Sequence, residues 1–355
     1  MSGDDSPGAT IRNVVLVLAS IVALPLAVWR SIIAHNQATA AQNQASAAHD
    51  QLALAERDSL DARYQKGADM LSSENISTRI GGVYALKLLA ENHPGRFHIQ
   101  VMELLCAFVR HPYKAKDNEE PHVGDVTAAV ETIIHRSDDA IAIEEASRPT
   151  PEKAFPDHRR ASEEGFRVNL KDADLSQAAL SHAKLRGAVL DNVTMPRFVC
   201  DDADFSGSSM SDCKINHAMF FRAAFDKAQM NFADMSKSSF FDCSFVETEM
   251  GDDLSESSLE GANLIGAIFS AANLNNTNLE NADLSGTIFE RLELKKNEPF
   301  CKVTQRQLDS AMANPDDPPQ IEEGTIDIET GKPIVWNHKL CGDRWLEHQK
   351  SRDSM

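Results

Sequence analysis

Between Val168 and Leu294 a large apolar residue returns at every fifth position. It stands at Leu170, Leu175, Leu180, Leu185 and Leu190, then at Met195, Phe205, Met210, Ile215, Phe220, Phe225, Met230, Met235, Phe240, Phe245 and Met250. A small residue usually sits two places earlier, as Ala173, Ala183, Ala203, Cys213, Ala223 and Ala233 do. After Met250 the frame slips by one residue, resumes at Leu254 and Leu259, and runs through Leu264, Phe269, Leu274, Leu279, Leu284 and Phe289 to Leu294. Neither a helix at 3.6 residues per turn nor a strand with period 2 explains this spacing. It predicts a solenoid, in which each unit buries its apolar face only by stacking on its neighbours.

The segments Ala173-Asp174-Leu175, Ala203-Asp204-Phe205, Ala233-Asp234-Met235, Ala262-Asn263-Leu264, Ala272-Asn273-Leu274 and Ala282-Asp283-Leu284 resemble the A-(D/N)-(L/F)-x-x signature of the pentapeptide-repeat family. The resemblance implies a mainly β fold, a right-handed quadrilateral parallel β-helix with four pentapeptides per coil. Inward residues would then form four ladders: Leu170, Leu190, Met210, Met230, Met250; Leu175, Met195, Ile215, Met235, continuing as Leu254, Leu274, Leu294; Leu180, Cys200, Phe220, Phe240; and Leu185, Phe205, Phe225, Phe245. Like-shaped side chains stack well, so aromatic and Met ladders are expected to stay separate. With layers about 4.8 Å apart, the repeats predict a rod about 31 Å long. One unit is inverted. Phe198 takes a small position and Cys200 a large one, after Pro196. A volume-conserving swap explains this more simply than a kink used for recognition.

Ahead of the repeats, Asn13 to Trp29 carries no charge, and Ile32 and Ile33 extend the apolar stretch past Arg30. This predicts a transmembrane helix over 13–34, if Arg30 snorkels toward the headgroups. A signal peptide fits less well, because Asp4 and Asp5 lie in the leading segment and Ala38-Thr39-Ala40 is far from the apolar centre. An Ala- and Gln-rich stretch over 35–60 reads as a helical stalk.

Residues 61–145 read as a compact all-α module. Tyr64, Ala68 and Leu71 mark one helix, and Ile80, Val83, Tyr84 and Leu88 a second, capped at Asn75 or Ser77. Val101, Leu104, Leu105 and Phe108 mark a third, between Pro94 and Pro112. Asp125 caps a fourth, with Val126, Ala129, Val130, Ile133 and Ile134 inward. Gly81-Gly82 inside a helix implies close helix contact or a partner-binding face. The run Arg63 to Ala68, with Arg79 to Leu86 and Phe108-Val109-Arg110, is similar to a module that precedes the repeats in membrane-anchored bacterial members of the family.

A tail at 1–12 and a polar linker at 146–167, carrying His158, Arg159 and Arg160, complete the front of the chain. The repeats occupy 168–294 and a capping extension 295–355. In that extension Thr304 and Gln307 form a capping box, and Ile326, Ile328, Ile334, Val335 and Trp336 read as a hairpin. A solenoid leaves unpaired strand edges. The helical module is therefore expected to cap the first coil and the extension to cover the last.

The net charge is −19, which disfavours direct nucleic-acid binding through phosphates. The six cysteines do not read as a disulfide framework, and Cys200, Cys213 and Cys243 fall at inward repeat positions. No Walker A loop, dinucleotide fingerprint, nucleophile elbow or zinc motif is present. His93, His98, Cys106 and His111 match no standard metal spacing. The expectation is a protein with no enzyme activity, no cofactor and no metal.

Two functions compete. One is a membrane-anchored scaffold for protein–protein interaction. It would sit in the bacterial inner membrane as a single-pass protein with a cytoplasmic C-terminal body, bind a protein partner the sequence does not name, and leave homo-oligomerisation open. The other is DNA mimicry, since some soluble members of the family engage DNA gyrase in that way. Residues 168–294 hold 20 acidic and 9 basic side chains, a net of −11. Duplex DNA of that length would carry about 18 charges. Residues 244–294 hold 10 acidic side chains and only Arg291 as a base, a net of −9, where DNA would carry about 7. On that reading Asp252, Asp253, Glu256 and Glu260 are the contact residues for a DNA-binding protein such as a topoisomerase.

Overall fold

The structure, a computed structural model, describes residues 7–112, 124–147, 165–251, 253–270, 272–290, 303–321, 330 and 332–353. The chain divides into two units, 1–62 and 63–355. The first is helical. It is the greater part of α1 (Pro7–Leu71), which runs through Pro25 without a break. No helix among the described residues is long and apolar enough to cross a membrane. This overturns the anchor expected over 13–34, and with it the single-pass inner-membrane location. The physical reason lies at Arg30: the uncharged run ends there, short of the roughly 20 residues a span requires.

The second unit opens with the last turns of α1 and four further helices: α2 (Ile76–Asn92), α3 (Pro94–Arg110), α4 (Gly124–Ile134) and α5 (Asp138–Ala146). Asn75 caps α2, its Oδ1 accepting from Thr78 N at 3.2 Å. Pro94 does not merely end α2 but starts α3, where a missing N–H costs nothing. Gly67 and Gly82 let α1 and α2 touch. A Cβ on Gly82 would lie 2.9 Å from the Gly67 carbonyl oxygen, and one on Gly67 would lie 2.8 Å from Leu86 Cγ.

That contact sets the rotation of α2. It buries Gly82, Val83, Leu86, Leu89 and Ala90, and turns Tyr84 and Leu88 outward, against the sequence expectation. Asp125 also differs from its predicted role. Buried in the first turn of α4, it holds the buried guanidinium of Arg79, which in turn donates to the carbonyls of Ser73 at 2.8 Å and Glu74 at 3.0 Å. Helix α5 falls where no helix was predicted. Ser137 caps it, accepting from Ala140 N at 3.2 Å.

From Asn169 the chain winds as a parallel β-solenoid. One ladder of bridges runs Asn169, Val189, Ser209, Gln229, Glu249, then Ile268, Ile288 and finally Gln320. The strands are short: β1 (Val199–Asp201), β2 (Met219–Phe221), β3 (Ser239–Phe241), β4 (Glu249–Met250), β5 (Ile268–Ser270), β6 (Ile288–Glu290) and β7 (Gln320–Ile321). Register is 20 residues per coil until Met250, after which Asp234 pairs with Asp253, Ser239 with Ser258 and Ser244 with Asn263, at 19. The slip seen in sequence is therefore one coil shortened by one residue. At that point a Cβ on Gly251 would stand 3.0 Å from the Ser270 carbonyl oxygen.

The corners explain the remaining residues of each pentapeptide. Ala173 N donates to Leu170 O at 3.0 Å, closing a β-turn, and the same link recurs along the solenoid. The third residue of these turns has positive φ, as at Asp172, Asn192, Asp212, Gly207 and Gly261. Asn, Asp and Gly tolerate that region best. The inward residues are completely buried and the Phe rings stack. Phe205, Phe225 and Phe245 have centroids 5.1 and 4.8 Å apart, and Phe220 and Phe240 lie at 5.0 Å.

Separation of Met and aromatic ladders holds only in the first coils. Beyond the slip, Phe269 and Phe289 stack at 5.1 Å in line with Met250. The inverted unit is a volume swap. Cys200 and Phe198 are both buried, and the Phe198 ring packs edge-on to Phe220 at 5.1 Å.

Both ends of the solenoid are covered. Lys184 N, in the first described coil, donates to Ile134 O at 2.9 Å at the end of α4. At the other end, Leu284 N donates to Met312 O at 2.8 Å and Gly286 N to Asp317 O at 2.8 Å. That segment carries α6 (Gln305–Ser310), opened by the predicted capping box of Thr304 and Gln307, and is followed by α7 (His338–Asp353). The linker cluster His158, Arg159 and Arg160, the hairpin residues Ile326 and Ile328, and Cys301 and Leu294 lie outside the described residues.

Candidate functional site

The sequence-predicted acidic residues do not form one stripe. Asp253 is exposed beside inward Leu254, and its Oδ1 accepts from Asn273 Nδ2 at 2.9 Å and Ser255 N at 3.1 Å. Glu256 stands at the next corner with φ of 57°, 3.6 Å from Lys237 Nζ. Glu260 lies one face further on, where its Oε2 accepts from Asn278 Nδ2 at 3.2 Å. Asp252 lies outside the described residues. The structure thus spreads the three described carboxylates around a corner, each already engaged by a neighbour.

The densest polar network lies where the helices meet the first coils. Glu144 is buried, and its Oε1 accepts from Arg136 Nε at 2.7 Å and sits 2.8 Å from His98 Nε2. Burial pushes the Glu144 carboxyl upward, but the hydrogen bonds from His98 and Arg136 outweigh it and hold the group below the usual range. Arg136 also donates to Ile133 O and Lys184 O, both at 2.7 Å, and Lys184 Nζ reaches Asp138 at 2.6 Å.

Two hollows flank this network. One, about 310 Å³, is lined by Lys87, Pro94, His98, Met102 and Arg136, and the other, about 510 Å³, by Arg136, Glu144, Lys184, Arg186 and Asp204. The cations of the larger hollow are each matched internally, Arg186 with Asp204 at 3.0 Å among them. The network therefore serves to join helices to coil. Of its members the sequence singled out only His98, and it is α5 that brings Glu144 to the others.

Buried thiols add no reactive centre. Desolvation raises Cys106 and Cys341 to about 11, and Cys200 and Cys243 to about 12. No group of His, Cys, Asp and Glu suited to a metal ion occurs among the described residues.

What the chain does display is exposed surface. On α2, Tyr84 and Leu88 are 53% and 58% exposed, one helical turn apart. On the solenoid, the face built by β1, β2 and β3 presents Val199, Met219 and Phe241 to solvent, at 48%, 45% and 41%, with Phe221 half-buried beside them. The neighbouring faces turn out mostly polar residues at matching positions, such as Thr194, Lys214 and Asp234 on one side and Asp204 and Ser244 on the other.

Stacked five-residue units, four inward ladders and capped ends define a parallel β-solenoid repeat protein. A family model described as pentapeptide repeats matches residues 169–197 and 253–291, in 8 copies. Those two stretches of the solenoid thus carry pentapeptide repeats. Among solved structures it is similar to HetL, a pentapeptide repeat protein involved in heterocyst differentiation regulation from the cyanobacterium Nostoc sp. strain PCC 7120. The identity is 24%, over 34% of this chain and 45% of HetL, with a TM-score of 0.23. The match thus spans less than half of HetL. It is similar also to QnrB1, a plasmid-mediated fluoroquinolone resistance protein, at 18% identity over 48% of this chain and 95% of that one, with a TM-score of 0.23. A pentapeptide repeat protein from the Arabidopsis thaliana thylakoid lumen matches at 17% identity over 52% of this chain and 93% of that one, with a TM-score of 0.16. No curated protein matches.

Proposed function

We propose that this protein is a non-catalytic scaffold for protein–protein interaction, with recognition centred on the helical module. The observation that carries this reading is the Tyr84–Leu88 pair. Two large apolar side chains stand exposed on one side of α2, while Val83, Leu86 and Leu89 fix the other side in the core. An exposed aromatic on a rigid backing is the kind of anchor around which binding energy concentrates. The solenoid supplies stiffness, because each coil is hydrogen-bonded to the next along every face.

The test is co-purification after crosslinking of the tagged full-length chain in its own cells, wild type against Tyr84→Asp/Leu88→Asp. A protein recovered repeatedly with the wild type and lost with the variant supports the proposal. Recovery of the same proteins with both chains, or of none, overturns it.

A second reading, mimicry of DNA toward a DNA-binding protein, draws on the acidity of residues 244–294. It requires that the captured protein be released by duplex DNA, and that Asp253→Asn/Glu256→Gln/Glu260→Gln abolish the capture. Capture that survives both treatments rejects it.

A further inference from the structure

We infer that the face built by β1, β2 and β3 pairs with the same face of a second copy of this chain, the two solenoids lying side by side and parallel. This goes beyond the scaffold reading and does not depend on it. Three observations lead to it. The first is that large apolar residues face outward together here: Val199 and Met219 in line on one side, Phe221 and Phe241 on the other, the two rings 6.0 Å apart. Exposed apolar groups gathered on one patch point to a contact rather than to chance.

The second is the charge of the two rims. The corner leading into the face carries Arg197, His217 and Lys237; the corner leaving it carries Asp202, Arg222 and Asp242, with Asp201 at the end of β1. Arg222 is taken up by Asp202, through contacts of 2.8 and 2.6 Å. One rim is thus basic and the other acidic.

The third concerns two charges on one coil, neither held in an ion pair of its own. Arg197 is exposed and forms no ion pair with a described residue. Across the same face the Asp201 carboxylate feels the Arg222 charge, which is bound to Asp202, and its Oδ1 is shut away from water with no hydrogen-bond partner. Such a group is costly unless something charged approaches it.

A two-fold axis parallel to the solenoid answers all three observations together. It preserves height along the rod and exchanges the rims, so each Arg197 meets the Asp201–Asp202 rim of the other copy, and Lys237, which Glu256 already approaches at 3.6 Å, faces Asp242. The middle rung places His217 opposite Arg222, which Asp202 already neutralises. Met219 falls against Phe221, and Ser239 against Phe241. An axis across the solenoid instead sets basic rim on basic rim, so only the parallel pairing is complementary. A two-fold contact must match itself in this way. The patch spans three coils, far smaller than a permanent dimer interface. The association is therefore reversible and concentration-dependent.

Sedimentation equilibrium on the full-length chain at micromolar concentrations tests this, with circular dichroism to show that each variant stays folded. The wild type is expected to dimerise. Phe241→Asp, Arg197→Asp and Asp201→Arg should each raise the dimer Kd by about tenfold or more, and Arg197→Asp/Asp201→Arg should return it to near the wild-type value. Should Asp201→Arg fail to fold alone, Arg197→Asp and the double swap still decide the matter. A wild type that remains monomeric overturns the inference. So does a dimer indifferent to Phe241→Asp, or one that the double swap does not restore.

Discussion

Phe225 lies at the centre of the aromatic interior, and replacing it with Ala tests whether ring stacking stabilises the solenoid beyond simple burial. The side chain is fully buried. Its ring stacks between Phe205 at 5.1 Å and Phe245 at 4.8 Å, and packs edge-on to Phe220 at 5.2 Å and Phe240 at 6.0 Å. Truncating a buried Phe to Ala costs about 3–5 kcal/mol from lost burial and the cavity left behind. Each aromatic pair adds about 0.5–1.5 kcal/mol beyond area, so a site with four partners belongs at the top of that range, near 5 kcal/mol. Phe289 provides the control. It is equally buried, but its one ring contact among the described residues is Phe269, at 5.1 Å, and Phe289→Ala should cost about 3 kcal/mol. Urea unfolding of both variants, with the slope checked for constancy, measures the difference. Equal losses at the two sites would refute the claim that the aromatic ladders contribute through ring geometry, leaving burial alone as the cause.

Phe232 is exposed and held at φ of 66°, where a bulky side chain is strained, so Phe232→Gly should stabilise by a few tenths to about 1 kcal/mol, read from the urea midpoint. Asp125→Ala leaves the Arg79 guanidinium buried without its carboxylate and should destabilise by about 3–5 kcal/mol; a loss below 1 kcal/mol, read by the same urea titration, contradicts the role assigned to the pair. Glu144 and Asp204 have folded pKa values held below their unfolded values, so their contribution is complete above about pH 4.3 and disappears as pH falls through the lower folded values. The melting temperature should therefore stay level from pH 7 to about pH 5 and drop below about pH 4, less steeply in Glu144→Gln. Burial keeps the thiols of Cys106, Cys200, Cys243 and Cys341 protonated, so a disulfide reagent at pH 8 should label none of these four until denaturant is added.

The solenoid was legible because its inward positions are set by one local rule repeated many times. Leu170, Leu190 and Met210 had to stack once the period was known, and even the one-residue slip after Met250 could be placed. The helical module was legible only in part. Its helix α2 carries apolar residues on more than one side, and the choice of buried side came from Gly67 and Gly82, which carry no hydrophobic signal of their own. Asp125 looked like a cap because caps are local, whereas its partner Arg79 lies 46 positions away. The short α5 lacks a clear apolar period, and what buries Glu144 there is an ion pair with Arg136. The apolar stretch near Asn13 misled for the opposite reason, since composition suggested a span that the uninterrupted length does not reach. The face of Val199, Met219, Phe221 and Phe241 was hidden because period-five reading follows inward residues and ignores the positions on either side of them.

The two ends of the solenoid show why this chain needs helices at all. A coil in the middle has both edges paired, but the first and last expose rows of N–H and C=O groups that invite uncontrolled strand addition. At the first coil the solution is the end of a helix: α4 stops at Ile134, leaving carbonyls that its own turns cannot use, and one of them accepts from Lys184 N. Arg136, held by buried Glu144, takes the neighbouring Lys184 carbonyl. A helix terminus and a strand edge thus satisfy each other. At the last coil a partial turn is used instead, with Met312 pairing with Asp283 and Gln320 with Ile288, while Gln307 of α6 donates to the carbonyls of Leu274 and Thr277. With these edge groups paired, strand addition there is opposed, and a partner of the solenoid itself would use side chains on its flanks. The apolar residues of β1, β2 and β3 lie on such a flank, away from both caps, so contact there can form and dissolve without disturbing the hydrogen-bonded interior.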